Sequence, residues 1–222
     1  MNIFTQQVIT IGCIKKQDNG QKVIQMLGTG FFITKDKIVT THQAIHPSNI
    51  DQNELVILMT DLGDINQYQD TTNHSVQYIQ ATVCATDPFR GLAILTPTDF
   101  SFPHTFAPLG SFDDVDVADV VELIGYPYCV EGRRVLTYQT TEIGAKILLE
   151  SHAIVSKHAL INTRARSGLS GAVIFSRKLN SILGVLIGSY APETQASALR
   201  ETNARLHQTT HCISAEYIKE MI

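Results

Sequence analysis

The stretch Arg166-Ser167-Gly168-Leu169-Ser170-Gly171-Ala172 sets one serine between glycines and runs straight into the apolar segment Val173-Ile174-Phe175. A nucleophilic serine needs such a setting. Glycines let the backbone bend tightly, expose the hydroxyl and aim two N–H groups at a single point. Gly-x-Ser-Gly also occurs in ordinary loops, so its weight depends on what stands to either side.

To either side stand strand-like runs separated by short turns, the pattern of a sandwich or barrel. Before the serine, residues 8–14 are β-rich and end at an Asp18-Asn19-Gly20 hairpin turn. Residues 22–34 read as two runs around Gly28-Thr29-Gly30, followed by 38–41, 55–59, 76–84 and 92–95. That gives about six strands in a first half, 1–96. Residues 97–114, rich in Pro, Phe and Asp, read as a connector. A second half, 115–213, again supplies about six strands, among them 120–124, 135–141, 159–162, 172–175 and 182–187. Residues 193–206, rich in Ala, Glu and Arg after Pro192, predict a helical insertion. Residues 214–222 predict a short terminal helix, capped by Ser214, with Tyr217, Ile218 and Met221 turned inward.

Composition narrows the function. The chain has 222 residues, 44% hydrophobic and 17% charged, enough for a substantial core. A net charge of −4 argues against nucleic acid or a membrane surface as partner, because phosphate binding needs a basic field. The start of the chain lacks a basic residue before an apolar run, which predicts no signal peptide, and no apolar run is long enough to span a bilayer. Cytoplasmic location is the default expectation. Cys13, Cys84, Cys129 and Cys212 form no C-x-x-C pair and read as small buried hydrophobes. His207, His211 and Cys212 read as a polar loop ahead of the last strand, with no metal or other cofactor expected. His46, His74, His104, His152 and His158 read as surface or loop residues.

In chain order these segments resemble the trypsin-like serine protease family, in its bacterial Htr/Deg-type form. Gly28-Thr29-Gly30-Phe31-Phe32 followed by Ile38-Val39-Thr40 is similar to the family's early strands, and Asp87-Pro88 with Leu92-Ala93-Ile94-Leu95 to the segment carrying the triad aspartate. Pro108-Leu109-Gly110-Ser111 and residues 117–127 resemble the linker and the start of the second barrel. Ser167-Gly168-Leu169-Ser170-Gly171-Ala172 matches the nucleophile loop, residues 182–188 the strand lining the substrate groove, and 211–221 the terminal strand and helix. Several motifs in one fixed order are far more specific than any one of them. The resemblance implies an all-β chain of two six-stranded antiparallel β-barrels, covering the protease module with no PDZ-like domain after it.

It also exposes departures. The family's histidine stands three residues after the threonine that ends the strand; counted from Thr40, that place holds Gln43, with His42 one residue early. The aspartate that should precede Leu92 is Gly91. Ser170 alone keeps its identity, with an oxyanion hole implied at the N–H groups of Gly168 and Ser170. Gln43 cannot take a proton from the serine, and Gly91 cannot hold an imidazole. Arg164, six residues before Ser170, falls at the floor of the family's main substrate pocket, where it would favour an acidic side chain, fill the pocket or face solvent; Gly188 falls on the groove strand. The expectation is a pseudoprotease, a protein-binding or scaffolding module taking an extended peptide by β-augmentation along 185–190 or a partner through 193–206. The alternative is an active serine endopeptidase in which His42 has shifted to serve Ser170, with Asp87 as the carboxylate. A third reading is a subunit of a larger bacterial regulatory or defence complex.

Overall fold

A computed structural model describes residues 4–46, 54–59, 62, 64–72, 75–190 and 209–222. Its strands are β1 Val8–Lys16, β2 Lys22–Thr34, β3 Lys37–Thr41, β4 Leu55–Leu58, β5 Tyr78–Asp87 and β6 Leu92–Pro97, then β7 Val120–Gly125, β8 Thr137–Ser151, β9 Ile154–Ile161, β10 Val173–Ser176, β11 Ser181–Tyr190 and β12 Thr209–Ser214. Each set of six closes into an antiparallel barrel. The ring orders are β1-β2-β3-β6-β5-β4 and β7-β8-β9-β12-β11-β10, so the second barrel repeats the topology of the first.

Side-chain alternation explains why the most apolar runs are continuous. Along a strand, successive residues face opposite sides of the sheet. Ile9, Ile11 and Cys13 of β1 fill the first barrel together with Phe32, Ile38, Ala93 and Leu95. Their neighbours Val8, Val39, Leu92 and Ile94 face outward, yet they too are buried, against Val173, Phe175, Val185 and Ile213 of the second barrel. The second barrel fills with Val121, Leu123, Ile143, Leu169, Ile174 and Leu183. Strands β1, β3, β6 and β10 therefore bury both faces, one in a barrel and one between barrels. Burying a side chain of this size contributes about 2 kcal/mol, so the seam between the barrels is a second core.

Several expectations need correction. Residues 22–34 form one strand of 13 residues rather than two runs. The β8–β9 hairpin is longer than the sequence suggested, because its turn uses His152 (φ 51°) and Ala153 (φ 64°) in the left-handed region where Gly or Asn is usual. The connector is packed down: Phe102 stacks on Phe32 with ring centroids 4.7 Å apart. The terminal segment Ala215–Met221 is a 3₁₀ helix, and Ser214 makes no side-chain cap. The Ser214 hydroxyl instead bonds Ser111 Oγ at 3.3 Å. Cys84 is exposed, on the outer face of β5, unlike the three buried cysteines. His158 is buried on β9, not at the surface. The helical insertion expected over 193–206 lies outside the described residues, as do His74 and His207.

Candidate functional site

The serine loop is built by glycines that nothing larger can replace. Gly168 and Gly171 both sit at φ 89°. A Cβ at Gly171 would collide with Thr29 O, and one at Gly168 would lie 2.6 Å from Tyr126 O. The loop is stitched to the first barrel through Thr29 of β2. Thr29 Oγ1 donates to Gly168 O at 2.8 Å; Thr29 N donates to Ser170 O at 2.9 Å. Leu169 turns away from the loop's open side and is fully buried among the second barrel's core residues.

The amides of the loop divide into two groups. Leu169 N donates to Arg166 O, Gly171 N to Leu186 O and Ala172 N to Leu169 O, at 2.8–3.0 Å. The amides of Gly168 and Ser170 have no acceptor among the described residues, and both residues line an open cleft of about 600 Å³.

The serine hydroxyl is already bonded. Ser170 Oγ donates to Ile187 O at 2.9 Å. It lies 2.9 Å from Thr41 Oγ1, and since its single proton serves Ile187, the Thr41 hydroxyl is the donor in that pair. The Ile187 carbonyl is available because the β11–β12 register shifts between Leu186 and Gly188, which leaves Ile187 bulged. No step of this chain contains a base.

Gln43 and Ser170 line the same cleft, and no histidine does among the described residues. Gln43 is exposed, second in the 3₁₀ turn His42–Ile45 that follows β3. His42 is half-buried elsewhere. Its backbone N–H donates to Gly91 O at 2.9 Å, its ring packs edge-on to His46 with centroids 5.3 Å apart, and its Nδ1 is buried with no partner among the described residues. Burial lowers the His42 pKa, His46 lowers it further, and Asp87 opposes both. Asp87 is itself held by Arg90, whose guanidinium approaches to 3.1 Å.

Gly91 has a backbone that ill suits a side chain. It sits at φ 72°. A Cβ there would meet only Ile187 side-chain carbons, at 3.7 and 3.9 Å. Space remains, then, but the backbone is in a region L-residues rarely adopt and an apolar side chain stands beside it. Arg164 is exposed and does not line the cleft. Gly188 is half-buried with open space where a Cβ would be. Thr41 and Ile187, the two groups that hold the serine, were not singled out in the sequence: one is the second of a Thr-Thr pair, and the other acts through a carbonyl that only the bulge exposes.

The trypsin-like peptidase domain model matches residues 28–185. This chain belongs to the trypsin-like peptidase family. No curated protein matches it. Among solved structures it is similar to the HtrA-type protease AlgW with a decapeptide, at 14% identity and TM-score 0.69, over 98% of this chain and 63% of that one. The chain thus spans under two thirds of AlgW. It is similar to the MamO protease domain from Magnetospirillum magneticum at 14% identity and TM-score 0.69, over 100% of this chain and 98% of that one. It is also similar to the Rv3671c protease from M. tuberculosis in its active form, at 18% identity and TM-score 0.63, over 98% and 79%. At these identities the family's fold is what the chain shares with them. Within that fold Gln43 lies in the cleft beside Ser170 and Gly91 accepts from the His42 N–H.

Proposed function

We propose that this chain is a non-cleaving member of the trypsin-like peptidase family that holds an extended segment of a partner protein in the cleft beside Ser170. The observation that carries this reading is the bonding of the serine: Ser170 Oγ donates to Ile187 O and accepts from Thr41, with Gln43 in the cleft where a base belongs. A hydroxyl without a base is a poor nucleophile. Loss of a triad member costs about 10⁴ to 10⁶ in kcat.

What remains suits binding. Gly168 and Ser170 line the cleft, and their amides have no acceptor among the described residues. Strand β10 pairs with β11 only as far as Val185, while β12 accompanies β11 to Tyr190. An extended peptide running along β11 past Ser170 would continue the sheet where β10 stops. The rival reading, cleavage by a shifted His42, draws on the nearness of Asp87 to that ring. It is weakened by the Arg90 guanidinium already on Asp87.

The test is incubation of the purified chain with casein and a fluorogenic peptide library, read by mass spectrometry beside Ser170→Ala. Equal product in the two samples supports the proposal. Cleavage present in the wild type, absent in Ser170→Ala and absent in His42→Ala would establish the rival.

A further inference from the structure

The cleft beside Ser170 does not end at Met26. Met26 of β2 also lines a second pocket, of about 450 Å³, whose other walls include Arg133, Arg134 and Asp70. The two spaces are neighbours across one side chain.

The second pocket is built, not incidental. Gln69 locks its two walls together: Gln69 Nε2 donates to Leu136 O, and Leu136 N donates to Gln69 Oε1, each at 2.8 Å. A tight turn then carries the arginines. Gly132 sits at φ 86°, its N–H donates to Cys129 O at 2.8 Å, and Arg133 N donates to Tyr128 O at 3.2 Å. Arg134 is half-buried and Arg133 exposed, and neither guanidinium makes an ion pair with any described residue. Asp70 is the carboxylate in the pocket; its Oδ1 accepts from Thr72 N and Thr72 Oγ1, at 2.8 and 2.7 Å. Lys15 adds a third cation in the adjoining cleft. Three cations against one carboxylate stand in a chain whose net charge is −4. Guanidinium groups match planar carboxylates, so local charge points to one kind of occupant.

We propose that this second pocket is a subsite for an acidic side chain, Asp or Glu, on the same extended segment that lies beside Ser170. The proposal rests on the peptide-binding reading for its geometry: a chain crossing Met26 would carry a side chain of one residue to Ser170 and of a later or earlier one to Arg133 and Arg134. The carboxylate displaces water and pairs with two cations that make no ion pair among the described residues.

Fluorescein-labelled hexaglutamate and hexaglutamine, titrated against the full chain by fluorescence anisotropy at low salt, test it. Hexaglutamate should bind saturably and hexaglutamine should not. The Arg133→Gln/Arg134→Gln variant should weaken hexaglutamate about tenfold, while Lys178→Gln on the β10–β11 turn should leave it unchanged. Arg133 is exposed, so Arg133→Gln alone, expected to weaken binding about threefold, gives the answer should the double variant not fold. Equal affinity in wild type and either folded arginine variant overturns the subsite. Casein cleavage bears on the first reading only: a chain that cleaved casein yet lost hexaglutamate in the variant would keep the pocket as a substrate subsite.

Discussion

Ser170 has two neighbours that turn a reactive position into a cross-link. The Thr41 hydroxyl comes from the end of β3 in the first barrel and the Ile187 carbonyl from β11 in the second, so the serine ties the barrels together. A buried hydrogen bond contributes about 1 kcal/mol net. Ser170→Ala should therefore lower the unfolding free energy by about 1 kcal/mol, measured by urea denaturation. Stabilisation by the same change would show a strained residue kept for chemistry, as active sites often hold. At this scale counting from Thr40 was enough to single out Gln43, which lines the cleft with Ser170. The partners of the hydroxyl were illegible, because a backbone carbonyl exposed by a bulge leaves no residue-type signal.

Among the elements, β2 and the serine loop are the most tightly fitted pair. A Cβ at Gly171, where φ is 89°, would collide with Thr29 O and Thr40 Oγ1, whereas one at Gly188 on β11 would have nothing within 4 Å. Gly171→Ala should destabilise by about 3 kcal/mol or more, from backbone strain and collision together. Gly188→Ala should change stability by under about 1 kcal/mol. Thermal melts of the two variants side by side check the contrast. The β1–β2 hairpin was legible because its turn carries ordinary turn chemistry, with Gly20 at φ 79°. The β8–β9 hairpin was not, because His152 and Ala153 give no turn signal in sequence. Ser214 misled in another way: its hydroxyl accepts from Phe112 N at 3.3 Å, binding the connector rather than the helix it precedes.

The whole molecule carries one buried and one half-buried imidazole, His158 and His211, that make its stability depend on pH. His158 lies under the sheet of the second barrel, 5.5 Å ring to ring from His211. Burial, with a smaller push from His211, lowers its pKa to about 4; burial lowers His211 as well. The unfolded chain takes up those protons near the ordinary imidazole value, about 6.5. These imidazoles therefore leave stability unchanged above that value and lower it as the pH falls below it. Between about pH 7 and pH 5 the loss attributable to His158 is about 2 kcal/mol. His158→Gln should flatten the fall in melting temperature over that window; an unchanged slope would place the proton uptake elsewhere.

The two-barrel architecture was legible as a whole because the order of its motifs is specific. The decisive measurement is the intact mass of the chain after exposure to a fluorophosphonate probe, with peptide mapping at Ser170. Because Ser170 Oγ is bonded to Ile187 O and Thr41 and no histidine lines its cleft among the described residues, an unmodified Ser170 is predicted. A stoichiometric adduct on Ser170, lost in His42→Ala and kept in Gln43→Ala, would contradict it and make the chain a working peptidase.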